Sequence, residues 1–252
     1  MPHDPVLILT PVKNAAAHLE SYFRGLASLT YPPHLLSLGM LEGDSGDGTW
    51  EALQPHLEAL RGRFRSVRAF RRDFGLVLPR DLPRWAPQLQ VQRRSVLARA
   101  RNHLLFRALA DERWVLWLDV DVVEYPPDVI ERLLAAGKRI VTPNCVRTYG
   151  GGSFDLNAWR DRGRLHLHDL KGEGELVPLD AVGGTMLLVD ADVHRDGVVF
   201  PPFPYGLGNP KARRGENHWP GELETEGLGI MAADAGVQCW GMPHLEIRHH
   251  PE

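Results

Sequence analysis

Two aspartates, Asp119 and Asp121, follow a short run of apolar residues that ends at Leu118. Polar groups at the carboxyl end of a buried parallel strand face a ligand crevice, and residues two apart in an extended chain point the same way. Two carboxylates this close repel each other unless a cation lies between them. The pattern is typical either of a Mg²⁺ or Mn²⁺ site that also binds phosphate, or of a solvated turn at a strand end.

A second acidic turn, residues 43–48, follows another apolar run. It consists of Gly, Asp and Ser, the residues that tight turns and helix N-caps favour. The same turn places Asp44 at a strand end, where its carboxylate can accept hydrogen bonds from the edge of a nucleotide base. The turn and the base-binding interpretations are compatible, and both are retained.

Arginines are frequent on the predicted helix that precedes the acidic pair. Arg99 and Arg101 are two residues apart and cannot share a helix face, so only one of them can point into the acidic cleft. That arginine would pair with Asp119 or with a phosphate. The remaining arginines of this helix are expected to be solvated: Arg93, Arg94 and Arg107.

Further candidate ligands lie near the carboxyl terminus. His249 and His250 are either imidazole ligands for Mn²⁺ or part of a disordered chain end. Glu224 and Glu226 either cap the helix that follows them or hold the hydroxyl of an acceptor. The sequence alone does not choose between these alternatives.

The composition excludes several classes of protein. The 252 residues carry 29 basic and 32 acidic side chains, and a net charge of −3 does not suit an electrostatic nucleic-acid binder. Cys145 and Cys239 cannot form a disulfide framework and lack metal-site spacing, so buried reduced thiols are expected. No apolar run approaches the roughly 20 residues of a membrane span, and residues 1–4 are no signal peptide. These absences predict a soluble, cytoplasmic protein.

The elements that must position these groups alternate between strands and helices, which is typical of an α/β fold. Apolar runs predict strands at 6–10, 36–42, 67–70, 114–118, 139–142 and 186–189. Amphipathic patterns predict helices at 15–29, 49–60, 92–110, 128–136 and 225–235. Residues 73–87 are rich in proline and predict a surface loop. A change of texture near residue 150 divides one domain, 1–252, into a nucleotide-binding half (1–145) and an acceptor-shaping half (146–252).

The chain resembles a known family in nine collinear segments that cover nearly its whole length. They include LTYPPHLLSLGMLEGDSGDGT at 29–49, LARARNHLL at 97–105, WVLWLDVDVVEYPPDVI at 114–130, FDLNAW at 154–159 and ETEGLGIMAADAG at 224–236. These segments resemble the fungal Golgi α-1,6-mannosyltransferases, the mannan polymerase subunits. The resemblance implies the GT-A glycosyltransferase fold, a Rossmann-like and mostly parallel sheet flanked by helices, with a small antiparallel addition in the C-terminal half.

The resemblance also implies an activity. It is the metal-dependent transfer of mannose from GDP-mannose to a hydroxyl of a glycan or small acceptor, with retained configuration and Mn²⁺ (or Mg²⁺) as cofactor. The residues expected at the nucleotide sugar are Thr10, Pro11, Val12, Asn14, Asp44, Asp119, Gly183 and Gly184, together with Arg101. Those expected to hold the metal are Asp119, Asp121 and His249. Catalytic positions are expected at Asp121, Glu224 and Glu226, with Glu226 orienting the acceptor.

Alternatives remain open beside this interpretation. The same scaffold could use another nucleotide sugar, such as UDP-glucose or GDP-glucose, or serve as a catalytically silent nucleotide-binding subunit. The chain departs from the fungal family in two places. The sequence begins close to the first predicted strand, so no amino-terminal membrane anchor like that of the family is expected, and residues 204–221 are irregular where the family leads into its acceptor region. No nucleic-acid partner and no membrane span are expected.

Overall fold

Strands and helices alternate through the first half of the chain, as the sequence pattern predicts. The computed structural model describes residues 4–77, 79, 86–213 and 221–250. The strands are β1 (Val6–Val12), β2 (Leu36–Glu42), β3 (Ser66–Arg71), β4 (Trp114–Leu118), β5 (Val122–Glu124), β6 (Ile140–Val146), β7 (Trp159–Arg160), β8 (Leu165–His166), β9 (Val177–Leu179), β10 (Met186–Asp190) and β11 (Cys239–His249). The helices are α1 (Leu19–Ser28), α2 (Thr49–Leu60), α3 (Pro87–Ala108), α4 (Val129–Ala135), α5 (Ala191–Arg195) and α6 (Glu224–Asp234).

One large sheet forms the centre of the fold. Its strand order is β3-β2-β1-β4-β10-β6-β11-β5, with β9 paired to β11 as well. Among the described strands of this sheet, β5, β9 and β10 run antiparallel to their neighbours and the other six share one direction. The α/β class, the mostly parallel sheet and its antiparallel additions are therefore confirmed. The short strands β7 and β8 form a separate antiparallel ribbon.

The two faces of the sheet carry two hydrophobic layers. Successive residues of a strand point to opposite faces, so Val6 and Ile8 of β1 enter one layer while Leu7 and Leu9 enter the other. Helices α1, α2 and α4 cover the first face, and α3, α5 and α6 cover the second. Strands buried on both faces read as continuous apolar runs, which is why β1, β2 and β4 were predictable from sequence.

The largest element missed from sequence is β11. It carries Gly241 and Pro243, which interrupt a strand pattern, and its pairing with β6 shifts register between Met242 and Glu246. Its burial nevertheless alternates residue by residue, a pattern of period two that the sequence also contains. The short helix α5 was missed too, since five residues give little periodicity.

The predicted loop at 73–87 and helix at 92–110 differ from the observed elements. Helix α3 begins five residues earlier than predicted, with Pro87 in its first turn. Proline is tolerated there because the backbone N–H that it lacks would have no acceptor within the helix. Residues 73–77 are irregular, whereas 78 and 80–85 lie outside the described residues, as do 214–220 of the irregular segment. Cys145 and Cys239 are buried and free, as expected. Within the described ranges no helix has the length and apolar character that crossing a bilayer requires.

A buried histidine makes the stability of this fold sensitive to acid. Trp117 Nε1 donates to His194 Nε2 (3.1 Å), and His194 Nδ1 donates to the carbonyl of Val198 (2.7 Å), so the ring is neutral. Burial lowers the pKa of His194 to about 4. Below pH ~6.5 His194 is therefore protonated in the unfolded chain but stays neutral in the folded chain. The free energy of unfolding falls as the pH drops toward 4.

We expect the free energy of unfolding to lose about 2 kcal/mol between pH 7 and pH 5 through this residue alone. Urea denaturation at both pH values measures the loss. His194→Gln keeps a neutral side chain of similar length but cannot titrate. Between pH 7 and pH 5 the variant should therefore lose about 2 kcal/mol less unfolding free energy than the wild type. Equal losses in the two proteins would contradict the assignment.

Candidate functional site

A cleft of about 700 Å³ opens along the edge of the sheet where the parallel strands end. The carboxyl ends of β4 and β11 bring Asp119, Asp121 and His249 to this edge. Strand β10 is antiparallel, so its amino end reaches the same edge and brings Gly184 and Thr185. Topology thus gathers groups that are more than 100 residues apart in the chain.

Arg101 bridges two acids on the floor of the cleft. Its Nη2 donates to Asp119 Oδ1 and its Nε to Glu224 Oε1, both at 2.9 Å. We expected one of Arg99 and Arg101 to face the acids, and the structure shows that it is Arg101. Burial raises the pKa of Asp119 to about 6; Arg101 opposes the rise, while Asp121 and Glu224 add to it. The cleft floor therefore carries more negative charge than its arginine neutralises.

Asp121 and His249 form the second pair of the acidic cleft. His249 Nε2 lies 3.2 Å from Asp121 Oδ2, and His249 Nδ1 donates to the carbonyl of His250 (2.8 Å). Burial lowers the pKa of His249, but the Asp121 carboxylate outweighs it and the net shift is upward. The hydrogen bond to a backbone carbonyl fixes the ring so that Nε2 points to the carboxylate, the arrangement of metal-binding histidines. The alternative of a disordered chain end does not hold for His249, which is buried at the end of β11.

Glu226 lies below the cleft and does not line it. Its side chain is fully buried, accepts a hydrogen bond from Trp159 Nε1 (2.7 Å), and pairs with Arg213 (2.7 Å) and Arg94. A carboxylate enclosed by two guanidinium groups and an indole has no free surface for an acceptor hydroxyl, so the structure does not place Glu226 where it could orient the acceptor, and that role stays a prediction. The expectation of a solvated Arg94 is also wrong, because Arg94 is 8% exposed.

Glu224 lies at the start of α6 and lines the cleft. Its φ of 53° is in the left-handed region, which is strained for a residue with a side chain. Burial raises the pKa of Glu224, but Arg101 and Arg94 outweigh it and the net shift is downward. Glu224 is thus an ionised wall of the cleft, and its contact with an acceptor stays a prediction.

Asp155 is a cleft residue that the sequence did not single out, although it lies in the quoted FDLNAW segment. Its Oδ2 accepts hydrogen bonds from Gly184 N (3.0 Å), Thr185 N (3.2 Å) and Thr185 Oγ1 (3.0 Å). A Cβ atom at Gly183 would lie 2.1 Å from the same oxygen, and one at Gly184 would lie 2.6 Å from Arg101 Nη2. A side chain at either glycine would therefore displace Asp155 or Arg101 from its present position. No local pattern could reveal this, since Asp155 is 29 residues from Gly184 and Arg101 is 83 residues from it.

A smaller apolar pocket of about 70 Å³ lies beside the cleft, at the ends of β1 and β2. Its lining includes Pro11, Val12, Asp44 and Phe74, and Leu97 borders both cavities. Two other residues expected at the nucleotide have different places. Thr10 is fully buried. Its Oγ1 donates a hydrogen bond to the carbonyl of Leu118 (2.8 Å) and is also hydrogen-bonded to Tyr22 Oη (2.6 Å). Asn14 is exposed and accepts from Gly46 N (2.9 Å), which ties the loop after β1 to the acidic turn.

Asp44 holds one wall of the smaller pocket. Its carboxylate accepts hydrogen bonds from the backbone N–H groups of Phe74 (3.1 Å), Gly75 (2.9 Å) and Leu76 (3.3 Å). Lys13 Nζ donates to the carbonyl of Leu76 (2.6 Å), which closes the wall from the other side. Both carboxylate oxygens are thus already engaged, and a contact between Asp44 and a base stays a prediction.

Asp44→Asn should loosen this wall, because the amide group replaces one acceptor oxygen by a donor that faces N–H groups. We expect amide hydrogen exchange at Phe74, Gly75 and Leu76 to accelerate by roughly 10- to 100-fold, the equivalent of one charge-assisted hydrogen bond. The matched control is Asp128→Asn, whose parent acid pairs only with Arg132 one helical turn away among the contacts described. Unchanged exchange at 74–76 would show that the wall stands without Asp44.

A metal centre is not preassembled in the described part of the chain: it contains no group of three His, Cys, Asp or Glu side chains arranged around one point. Asp121 and His249 lie together, whereas Asp119 is held by Arg101. The metal-binding role of all three residues stays a prediction.

Comparisons with known proteins match this architecture. The chain is 32% identical to the mannan polymerase II complex anp1 subunit of Schizosaccharomyces pombe, over 98% of this chain and 64% of that protein. It is 30% identical to the mannan polymerase complex subunit MNN9 of Candida albicans, over 99% of this chain and 75% of that protein. The chain thus spans about two thirds of the length of the first of these relatives.

A solved structure shows the fold. The mannosyltransferase PcManGT from Pyrobaculum calidifontis, in complex with GDP-Man and Mn²⁺, superposes with a TM-score of 0.62 at 14% identity, over 100% of this chain and 58% of that one. The expected GT-A fold is therefore confirmed. The family model described as Anp1 matches residues 2–169 and 163–204, which is most of the chain. With this match, and with the fungal relatives aligned over nearly its full length, the chain belongs to the Anp1 family.

Proposed function

We propose that the protein is a glycosyltransferase that moves mannose from GDP-mannose to a hydroxyl of a glycan or small acceptor, with retention at the sugar carbon. The observation that carries the proposal is the arrangement along the sheet edge. A smaller apolar pocket at the ends of β1 and β2 adjoins a polar cleft that Asp119, Asp121 and His249 line. The relatives' names and the Mn²⁺ complex of the similar structure support the same assignment.

The residues present fit a divalent cation. Asp121 and His249 offer one carboxylate and one imidazole within 3.2 Å of each other. The other ring nitrogen, His249 Nδ1, already donates to the carbonyl of His250. Mg²⁺ and Mn²⁺ sites of nucleotide enzymes commonly use few protein ligands and take the rest from phosphate and water. When bound, the ion would neutralise the charge that develops on the departing diphosphate. Binding would displace the proton that His249 shares with Asp121.

The other cleft groups orient the reactants. Arg101 fixes Asp119 and Glu224 by donating to one through Nη2 and to the other through Nε, so the cleft floor keeps its shape as substrates enter and leave. Gly184 leaves room for the sugar because it adds no side chain above Arg101. Within the described residues, no carboxylate that lines the cleft needs to act as a covalent nucleophile in this scheme. The bond from the sugar carbon to phosphate oxygen breaks, that oxygen takes the acceptor's proton, and the acceptor oxygen bonds the same face of the carbon.

Thermal shift with GDP, UDP and their sugar conjugates, with and without Mn²⁺, tests the donor. A rise in midpoint with GDP and Mn²⁺, but not with UDP, supports the proposal, because ligand that binds only the folded state stabilises it. A rise for UDP alone would overturn the guanine assignment and favour the alternative donor. Release of GDP from GDP-mannose in the presence of mannose-containing acceptors then separates an enzyme from a silent nucleotide-binding subunit.

A further inference from the structure

Several arginines line the cleft beside its acids. Those that line it within the described residues are Arg93, Arg94, Arg101, Arg147 and Arg213. Three of them are committed to carboxylates inside the protein. Arg101 binds Asp119 and Glu224, Arg94 pairs with Glu226, and Arg213 pairs with Glu222 and Glu226. The carboxylates paired with such a guanidinium largely neutralise its charge, which weakens its attraction for an anionic ligand.

Arg147 is different from these three. It directly follows β6 and is exposed, and its guanidinium carbon lies 5.0 Å from the centre of the Phe154 ring. No carboxylate among the described residues pairs with it. A stacked arginine of this kind keeps its N–H groups free at the ring's edge while the ring restricts where the side chain can go.

The ring under Arg147 connects it to the acidic pair. Phe154 stacks on the imidazole of His249, with ring centres 4.0 Å apart and planes at 29°, and His249 in turn contacts Asp121. Strand β6 pairs with β11 so that Val146, the residue before Arg147, lies opposite Arg248, the residue before His249. The free cation and the Asp121–His249 pair therefore occupy the same end of the cleft.

The strand order decides which part of a nucleotide can reach Arg147. The apolar pocket lies at the ends of β1 and β2, the acidic pair follows β4, and Arg147 follows β6. In the sheet β10 separates β4 from β6, so β1 and β6 are three strand spacings apart, roughly 14 Å. A nucleotide with its base in the apolar pocket therefore extends toward Arg147 with its phosphate end.

We propose that Arg147 binds the distal phosphate of the nucleoside diphosphate, as a cleft cation that pairs with no carboxylate among the described residues. This assignment rests on the function proposed above and adds a residue to it. The guanidinium donates to the non-bridging oxygens of that phosphate, which carry the extra charge once the sugar has left. Phe154 acts as the platform that keeps the donor groups over the acidic pair.

The test compares nucleotides that differ only in the distal phosphate. Calorimetry with Mn²⁺ present measures GDP and GMP binding to the wild type and to Arg147→Gln, with UDP and UMP in parallel. We expect the variant to lose roughly 10- to 100-fold in affinity for the diphosphate, and less than about twofold for the monophosphate. Arg139→Gln is the matched control, since Arg139 precedes the opposite end of β6 and pairs with Asp190.

The outcomes separate the two proposals. Unchanged diphosphate affinity in Arg147→Gln, or equal losses for diphosphate and monophosphate, would overturn the assignment of Arg147 while leaving a nucleotide-binding protein. A wild type that binds none of the four nucleotides would instead overturn the proposed function itself. Loss of diphosphate affinity in the Arg139→Gln control would also count against the assignment, because it would show that the effect is not local to the cleft.

Discussion

Asp121→Asn is expected to lower the rate of sugar transfer by at least about 10²- to 10³-fold, the range for removing one group that stabilises transition-state charge. The amide keeps the shape of the side chain but loses the negative charge that Asp121 presents to His249 at 3.2 Å and would present to a cation. Because the side chain is 21% exposed at the cleft, the fold should persist. Release of GDP from GDP-mannose measures the rate, and circular dichroism checks the fold.

A matched carboxylate-to-amide change lies close by in sequence. Glu124→Gln alters an acid of β5 that pairs with Arg248 and does not line the cleft, so turnover should remain within about twofold. Binding of Mn²⁺ in the presence of GDP should weaken in Asp121→Asn and not in Glu124→Gln. If Asp121→Asn turned over at the wild-type rate, the proposed place of the cation would have to be abandoned.

Arg101→Met is expected to cost about 3–5 kcal/mol of folding free energy, the range for removing one partner of a buried ion pair. Arg101 is 3% exposed and lies between Asp119 and Glu224, so its loss leaves Asp119 without its guanidinium partner and Glu224 with Arg94 at 3.9 Å in its place. Urea denaturation measures the change. Arg132→Met, which removes a half-exposed ion pair between α4 and its N-cap residue Asp128, should shift stability by less than about 0.5 kcal/mol.

A combined variant distinguishes packing from charge. Adding Asp119→Asn and Glu224→Gln to Arg101→Met removes the repulsion, and most of the lost stability should return because no unpaired charge stays buried. Turnover should not return, since the acids themselves shape the cleft. A combined variant no more stable than Arg101→Met would show that Arg101 acts through its packing on Trp117 and Phe200 rather than through its charge.

Much of the fold was predictable because its signals are local. The bounds of β2, β4 and α2 agree with the prediction to the residue, since a buried strand shows a continuous apolar run and a surface helix an apolar stripe. The position of Asp119 and Asp121 at a strand end follows from the same reasoning. Strand β11 was missed because Gly241 and Pro243 mask the alternation of apolar and polar residues along it. Without β11, nothing in the sequence gives a reason for His249 to lie beside Asp121.

The sequence by itself determined the layered α/β architecture, the edge of the sheet at which the cleft lies, and the acids Asp119 and Asp121 at that edge. Only the tertiary structure decided how these groups are paired: Arg101 with Asp119 and Glu224, Glu226 enclosed below the cleft, and Arg147 with no acidic partner among the residues that the structure describes. The physical reason is the range of the interactions. Periodicity depends on neighbours within one or two turns, whereas an ion pair across more than 100 residues exists only once packing has brought the two elements together.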